Sequence, residues 1–163
     1  MSHKKKTIYL AGPIAGLTHD EAAYGWRQTF AVHLQGGGFD HISCSSPMRG
    51  KTFLQSEGVL TSTGDKYNAN PLASAAGITT RDYNDVITSD LMVACYLESN
   101  NVRSLGTATE FGYCWSHQIP IIAVGPEDEV NISHMMLQRM AGYRVDTLEE
   151  AAHIASLLLT PGL

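Results

Sequence analysis

Short apolar runs alternate with amphipathic stretches along the whole chain. Residues 7–11 form a compact apolar run stopped by Gly12 and Pro13, as expected of a buried strand that ends in a tight loop. Thr18 with Glu21 three positions later has the form of a capping box, and Ala22, Trp26, Phe30 and Leu34 then recur at helical spacing. The pattern predicts a helix to about residue 35, stopped by the glycines at 36–38, and a short strand at 39–43 that runs into Ser45-Ser46-Pro47. Beyond residue 77 it predicts a helix at 78–88, a strand at 90–97, a polar loop to 104 and a helix at 106–117. A strand at 120–124, a helix at 133–140 and a short strand at 143–145 follow. Thr147 with Glu150 then caps a last amphipathic helix to about residue 159. No internal repeat or low-complexity tract interrupts the series.

Strands alternating with helices imply an α/β fold, a parallel sheet covered on both faces, because parallel neighbours need crossover connections. Five strands without a GxGxxG motif fit a flavodoxin-like, doubly wound sheet of order 2-1-3-4-5. Ligands bind such sheets at the carboxyl ends of the strands, so chemistry is expected in the loops after strands one, three and four. One further segment breaks the alternation. From about residue 45 to 77, most clearly over 48–76, the composition shifts to Gly, Ser, Thr and Asn without a sustained period. A loop of that length is uncommon in a compact domain unless it serves function, and it is read as a lid or binding loop.

Composition narrows the class. A chain of 163 residues, 44% apolar, fits one globular domain over 1–163, which buries roughly 70% of its unfolded surface without a staple or metal. No apolar run approaches the ~18 residues that span a bilayer, so no membrane role is expected. Eleven Lys plus Arg against sixteen Asp plus Glu, a formal charge of −5, leaves no positive surplus for a phosphodiester backbone, and polymeric nucleic acid is not an expected partner. Cys44, Cys95 and Cys114 share no CxxC spacing and read as buried thiols of a cytoplasmic protein. The lysines before residue 7 imitate the start of a signal peptide, but the apolar part is short and contains Pro13. The seven histidines include no ligand pair, and no metal is expected.

Three segments put polar groups near carboxyl ends of expected strands: Tyr9-Leu10-Ala11-Gly12-Pro13-Ile14-Ala15-Gly16, Arg81-Asp82-Tyr83-Asn84, and Ser104 through Tyr113. Glu110 falls near the start of its expected helix, whose terminus would keep the carboxylate ionised at neutral pH. Such a carboxylate is either the favourable acid many helices carry in their first turn or a nucleophile for an anomeric carbon, with Asp82 as the second acid that helps the base depart. Gly106 and Gly112 beside it argue for close backbone approach. Tyr9 is either a core residue or the donor that orients Glu110. Asp90, at the opposite end of its strand, reads as a loop-fixing residue. Arg49-Gly50-Lys51 is either a solvated charge cluster or an anion clamp.

Taken together, Tyr9-Leu10-Ala11-Gly12-Pro13, Arg81-Asp82, Ser89-Asp90-Leu91-Met92-Val93-Ala94, Gly106-Thr107, Glu110-Phe111-Gly112-Tyr113 and Pro120-Ile121-Ile122 resemble the nucleoside 2-deoxyribosyltransferase family. The resemblance spans roughly residues 7–140, and Met48-Arg49-Gly50-Lys51 is similar to a stretch found in one branch of it. It implies a flavodoxin-like enzyme without a cofactor that cleaves the bond between a nucleobase and a deoxyribose. Glu110 would be the nucleophile, Tyr9 its orienting residue, and Asp82 the base contact and proton donor. It also implies a homodimer or larger assembly in which a neighbouring subunit completes each site, here through Ile132-Ser133-His134-Met135.

Ser104 and Ser133 stand where the bacterial transferases have an aspartate and an asparagine, and so resemble the deoxynucleoside 5′-monophosphate N-glycosidases of the same superfamily. Neutral hydroxyls tolerate a phosphate that an aspartate would repel. The loop with Gly12, Pro13, Ile14 and Gly16 would add backbone amides; Ala15 lacks the arginine some of those glycosidases carry, and Arg49 or Lys51 would have to compensate. The expected activity is cleavage of a 2′-deoxynucleoside or its 5′-monophosphate with transfer of the sugar to another base. Hydrolysis is the first alternative, and a nucleotide-sensing module without turnover the second.

Overall fold

The computed structural model describes residues 5–39, 41–61 and 73–160. Along the chain these form β1 (Lys6–Ala11), α1 (His19–Ala23), α2 (Gly25–Gly36), β2 (Ile42–Ser45), α3 (Ala75–Ile87), β3 (Leu91–Cys95), α4 (Leu105–Ser116), β4 (Ile121–Val124), α5 (Met135–Met140), β5 (Tyr143–Val145) and α6 (Leu148–Leu159). All strand pairs are parallel and the sheet order is β2-β1-β3-β4-β5, the flavodoxin-like order expected from the alternation. No helix among the described residues is long and apolar enough to cross a membrane.

Strand pleating decides which side chains meet which helices. Ile8 and Leu10 of β1 point to the face covered by α2 and α6, where they join Trp26, Phe30, Val93 and Ala155. Tyr9 and Ala11 point to the other face, into a core with Met92, Phe111, Cys114 and Leu137 from β3, α4 and α5. The central strands β3 and β4 are buried throughout, which explains their unbroken apolar sequence. At the edges β2 and β5 are short and partly open, and Cys44 on β2 is exposed, unlike the buried Cys95 and Cys114. The expectation of three buried thiols fails there because an edge strand offers one uncovered side.

The helix expected to run unbroken from Thr18 is two helices. Thr18 and Glu21 form the full capping box of α1, but the backbone turns at Tyr24 and α2 starts at Gly25. Gly25 lacks a side chain where the Glu98 carboxylate packs: a Cβ there would lie 3.3 Å from Oε2. The second strand lies at 42–45 rather than 39–43 because Ile42 N–H donates to Phe39 O in a turn that must close first. Asp40 lies outside the described residues, as do residues 62–72 of the long expected loop. The described part of that loop carries order of its own: a 3₁₀ turn at Thr52–Ser56, and a bridge between Thr18 and Val59. Met48, Leu54 and Leu60 from it pack with Ala22 as a small separate core.

Asp90 is a fixing residue, as its position implied. Its carboxylate accepts from Thr7 N–H at 2.9 Å and from Lys6 Nζ at 2.7 Å, tying the start of β3 to β1. Asp90→Ala leaves a strand amide without its charged acceptor and is expected to lower the unfolding free energy by about 1–3 kcal/mol in urea titrations. Asp90→Asn, which keeps an acceptor, should lose less. Equal stability of all three chains would show that the tether contributes nothing.

Candidate active site

A cleft of about 640 Å³ opens at the carboxyl ends of β1 and β3. One wall is the loop after β1, including Gly12, Pro13, Ile14 and Gly16. This loop lies hard against the end of β3: a Cβ on Gly12 would sit 2.7 Å from Cys95 O and 3.1 Å from the Trp26 ring, so only glycine fits. Met48, Lys51, Leu54 and Leu60 supply a second wall, and the start of α4, with Ser104, Gly106 and Thr107, a third. The loops that line the cleft thus follow β1, β2 and β3. The loop after β4, where chemistry was also expected, is behind it instead of on it. There the buried Glu129 carboxylate accepts from Ser99 Oγ at 2.9 Å and from the amides of Asn131 and Ile132, while Asn131 Oδ1 accepts from Ser104 N–H at 2.8 Å. This network sets where α4 begins.

Glu110 and Asp82 both line the cleft. Tyr9 is completely buried on β1, and its hydroxyl donates to Glu110 Oε1 at 2.7 Å across the gap between strand and helix. The ring of Tyr9 is thus part of the core while its hydroxyl is a donor to that carboxylate. Glu110 itself departs from expectation. It lies in the second turn of α4, beyond the helix terminus, and is only 8% exposed. Burial pushes its pKa from the ordinary 4.5 up to about 7, with Asp82 adding to the rise while the Tyr9 hydrogen bond, Arg27 and Lys51 oppose it. The carboxyl is thus poised between its two forms at neutral pH instead of being fully ionised. Burial also raises the pKa of Asp82, against the pull of Lys51 and of Arg81, whose guanidinium donates to Asp82 Oδ1 at 3.0 Å. Burial and the Glu110 charge hold the Tyr9 phenol in its protonated, donating form.

Two cations frame this pair. Arg27 is buried beneath the cleft, where its guanidinium donates to the carbonyls of Leu10, Gly12 and Ala22. Burial lowers its pKa to about 10, and the Glu110 charge is the largest effect holding it up. Sequence reading missed Arg27, since a lone charge beside an apolar helical stripe resembles any solvated position. Lys51 is buried too and faces the cleft, whereas Arg49 points away and pairs with both oxygens of Asp85 at 2.8 and 2.9 Å. The structure thus separates the two cations that the sequence grouped as a possible clamp.

The remaining expected residues divide similarly. Ser104 lines the cleft while capping α4, its Oγ 2.9 Å from Thr107 Oγ1 and accepting from Thr107 N–H. Ser133 is exposed and does not line the cleft of its own chain. Among the described residues no atom outside the helix's own backbone lies within 4 Å of a Cβ built on Gly106 or Gly112, so packing there requires neither glycine; the open space beside Gly106 is the cleft itself. Among the described residues no group of His, Cys, Asp and Glu has the arrangement of a metal site.

The raised pKa of Glu110 has a consequence for stability. Between 4.5 and about 7 the folded chain holds a proton that the unfolded chain releases, so this group's contribution is full below 4.5 and declines as the pH climbs to about 7. Glu110→Gln removes the titration and keeps an acceptor for Tyr9. The variant is expected to match wild type near pH 4.5 and to exceed it at pH 8 by on the order of 3 kcal/mol, read from denaturant unfolding at each pH. A difference that does not change with pH would place the carboxyl in a wetter setting than the one described.

Fourteen solved chains match this one, and three illustrate the range. A conserved protein of Enterococcus faecalis is 17% identical, with a TM-score of 0.64 over 94% of this chain and 99% of its own. The CMP N-glycosidase of Clostridium botulinum is 18% identical, with a TM-score of 0.53 over 94% and 100%. A molybdenum cofactor binding protein of Rippkaea orientalis is 17% identical, with a TM-score of 0.56 over 98% and 100%. At these identities the likeness concerns the fold. No curated protein matches the sequence significantly. The pattern of one family, nucleoside 2-deoxyribosyltransferase, matches residues 8–151, and with that span covered the chain belongs to the nucleoside 2-deoxyribosyltransferase family.

Proposed function

We propose that the cleft breaks the N-glycosidic bond of a 2′-deoxynucleoside and passes the sugar to a second nucleobase, with Glu110 as nucleophile, Asp82 as acid and base, and Tyr9 as the residue that orients Glu110. The observation that carries this reading is the buried Tyr9–Glu110 hydrogen bond on the floor of a cleft that also holds Asp82. The phenol occupies one lone pair of Oε1 and fixes the carboxylate plane, which is what a nucleophile needs to meet C1′ in line. Ionised Glu110 attacks C1′, the C1′–N bond breaks, and its electron pair leaves with the base, which takes a proton from Asp82. An acceptor base then loses its proton to Asp82 as its nitrogen displaces Glu110. The first half-reaction starts with one proton on the carboxyl pair, held by Asp82, and the second returns it; the burial that raises both pKa values favours that starting state.

Hydrolysis of a 5′-monophosphate is the second reading, favoured by the hydroxyls of Ser104 and Thr107 and by Arg103 on the cleft wall at the start of α4. In that reading the amides of the Gly12–Gly16 loop share the phosphate, and Ser133 arrives from a second copy of the chain. Binding without turnover, as in a sensor, would not require Glu110 to be poised near neutrality.

Incubation with a panel of deoxynucleosides and monophosphates, with and without added adenine or hypoxanthine, followed by chromatography, separates the three. A new nucleoside formed only with added base supports transfer, free base without an acceptor supports hydrolysis, and binding without base release contradicts both. Glu110→Gln and Glu110→Ala are expected to abolish base release while substrate still binds; release at the wild-type rate in both would remove the mechanism. In wild type, kcat/KM should be bell-shaped in pH, highest while the carboxyl pair holds one proton and falling as the pH passes about 7 and that proton is lost. A flat profile from pH 5 to 8 would contradict a nucleophile of that acidity.

A further inference from the structure

We propose that Lys51 reads the nucleobase: its ammonium donates to an exocyclic oxygen of the base and stabilises the negative charge that gathers there as the glycosidic bond breaks. The inference rests on the roles given above to Glu110 and Asp82, and it extends them to base choice.

Lys51 is only 5% exposed, yet it lines the cleft. Among the described residues its side chain makes no hydrogen bond and no ion pair. An ammonium without a protein acceptor on a side chain this enclosed has only the cleft to turn to, whereas a surface lysine swings freely into water. Here the backbone holds it in place. Lys51 N–H donates to Met48 O at 3.1 Å, and Lys51 O accepts from Leu54 N–H at 2.9 Å. Arg81 donates to Pro47 O at 2.6 Å and to Arg49 O at 2.8 Å, fastening the same turn to α3, the helix that carries Asp82. The same Arg81 guanidinium donates to Asp82 Oδ1 at 3.0 Å, so one side chain ties the Lys51 turn and Asp82 to one end of the cleft, where Asp82 is the first charge that opposes the lowering of the Lys51 pKa by burial.

That placement decides between the ligand groups a lysine can hold. Ser104, Gly106 and Thr107 belong to the wall at the start of α4, whereas Lys51 stands with the group proposed to protonate the leaving base. A phosphate there would bring two negative charges towards Asp82 and Glu110. A keto oxygen brings none until the C1′–N electron pair delocalises onto it, so the contact strengthens as the bond breaks, which is the condition for accelerating the step. Lys51 keeps all its protons throughout; the proton on the departing base comes from Asp82. Bases with an exocyclic oxygen fit this donor. Adenine has an amino group and no oxygen, and sets donor against donor.

The test compares wild type, Lys51→Met and Lys51→Arg in two measurements. Calorimetry gives the binding of free hypoxanthine, uracil and adenine, and steady-state kinetics gives kcat/KM for deoxyinosine, deoxyuridine and deoxyadenosine. Losing a charged hydrogen bond should weaken the oxo bases and their nucleosides about 10- to 100-fold in Lys51→Met, with adenine and deoxyadenosine changing less than about threefold. Lys51→Arg should retain most of the preference. The melting temperature of Lys51→Met should stay close to that of wild type, because no hydrogen bond or ion pair among the described residues is lost. Equal losses for all bases, or no loss, would overturn the proposal, as would absence of oxo-base binding to wild type. Lys51-dependent binding of hypoxanthine without any turnover contradicts the proposed function alone, and turnover indifferent to Lys51 contradicts this inference alone.

Discussion

A single hydrogen bond, from the Tyr9 hydroxyl to Glu110 Oε1, joins the central sheet to the helix layer at the point where the cleft begins. Its geometry follows from the pleat of β1. Ile8 and Leu10 serve the α2–α6 face, so Tyr9 must serve the other, where α4 crosses. The bond lies in a dry setting, where a fully satisfied contact rigidifies and a broken one is expensive. Burial raises the pKa of the carboxyl it holds, and the phenol limits that rise.

The rest of the fold keeps this contact in register and leaves its outer side open. Gly12 lets the loop after β1 lie on the end of β3, and Arg27 ties the carbonyls of Leu10, Gly12 and Ala22 from below while supplying positive charge near the carboxyl. On the far side the Glu129 network fixes the Ser99 and Asn131 loops and, through Ser104, the first turn of α4. Of these supports Arg27, Glu129 and Asn131 stand outside the cleft lining, but each sets the position of something that belongs to it. A parallel sheet with loops gathered at one end is well suited to this division, because the strands are rigid and the loops are free to carry chemistry.

Much of this was legible in the sequence. The unbroken apolar runs at 91–95 and 121–124 and the caps at Thr18 and Thr147 led to the right strand order and sheet topology, though not to the break between α1 and α2. Tyr9, Asp82 and Glu110 were singled out as a group, and the structure brings them together at one cleft. What could not be read was environment. Spacing placed Glu110 near a helix start and hence ionised; its second-turn position and burial reverse the electrostatic argument, and burial is a property of everything packed around it. Arg49 and Lys51, two residues apart, differ in the same way, one paired with Asp85 outside the cleft and the other enclosed within it. Arg27 gave no local signal because its partners are backbone carbonyls, which no side-chain pattern marks, and Glu129 because the Ser99 hydroxyl it meets belongs to a different loop.

The most direct test of the central claim is mass spectrometry of the protein quenched in acid during turnover of a deoxynucleoside. A glycosyl-enzyme formed by the carboxylate that Tyr9 holds predicts one deoxyribosyl group on the peptide that contains Glu110, absent in Glu110→Gln. Sustained base release with the adduct on another residue, or with no adduct under conditions where the second half-reaction is blocked, would contradict the account.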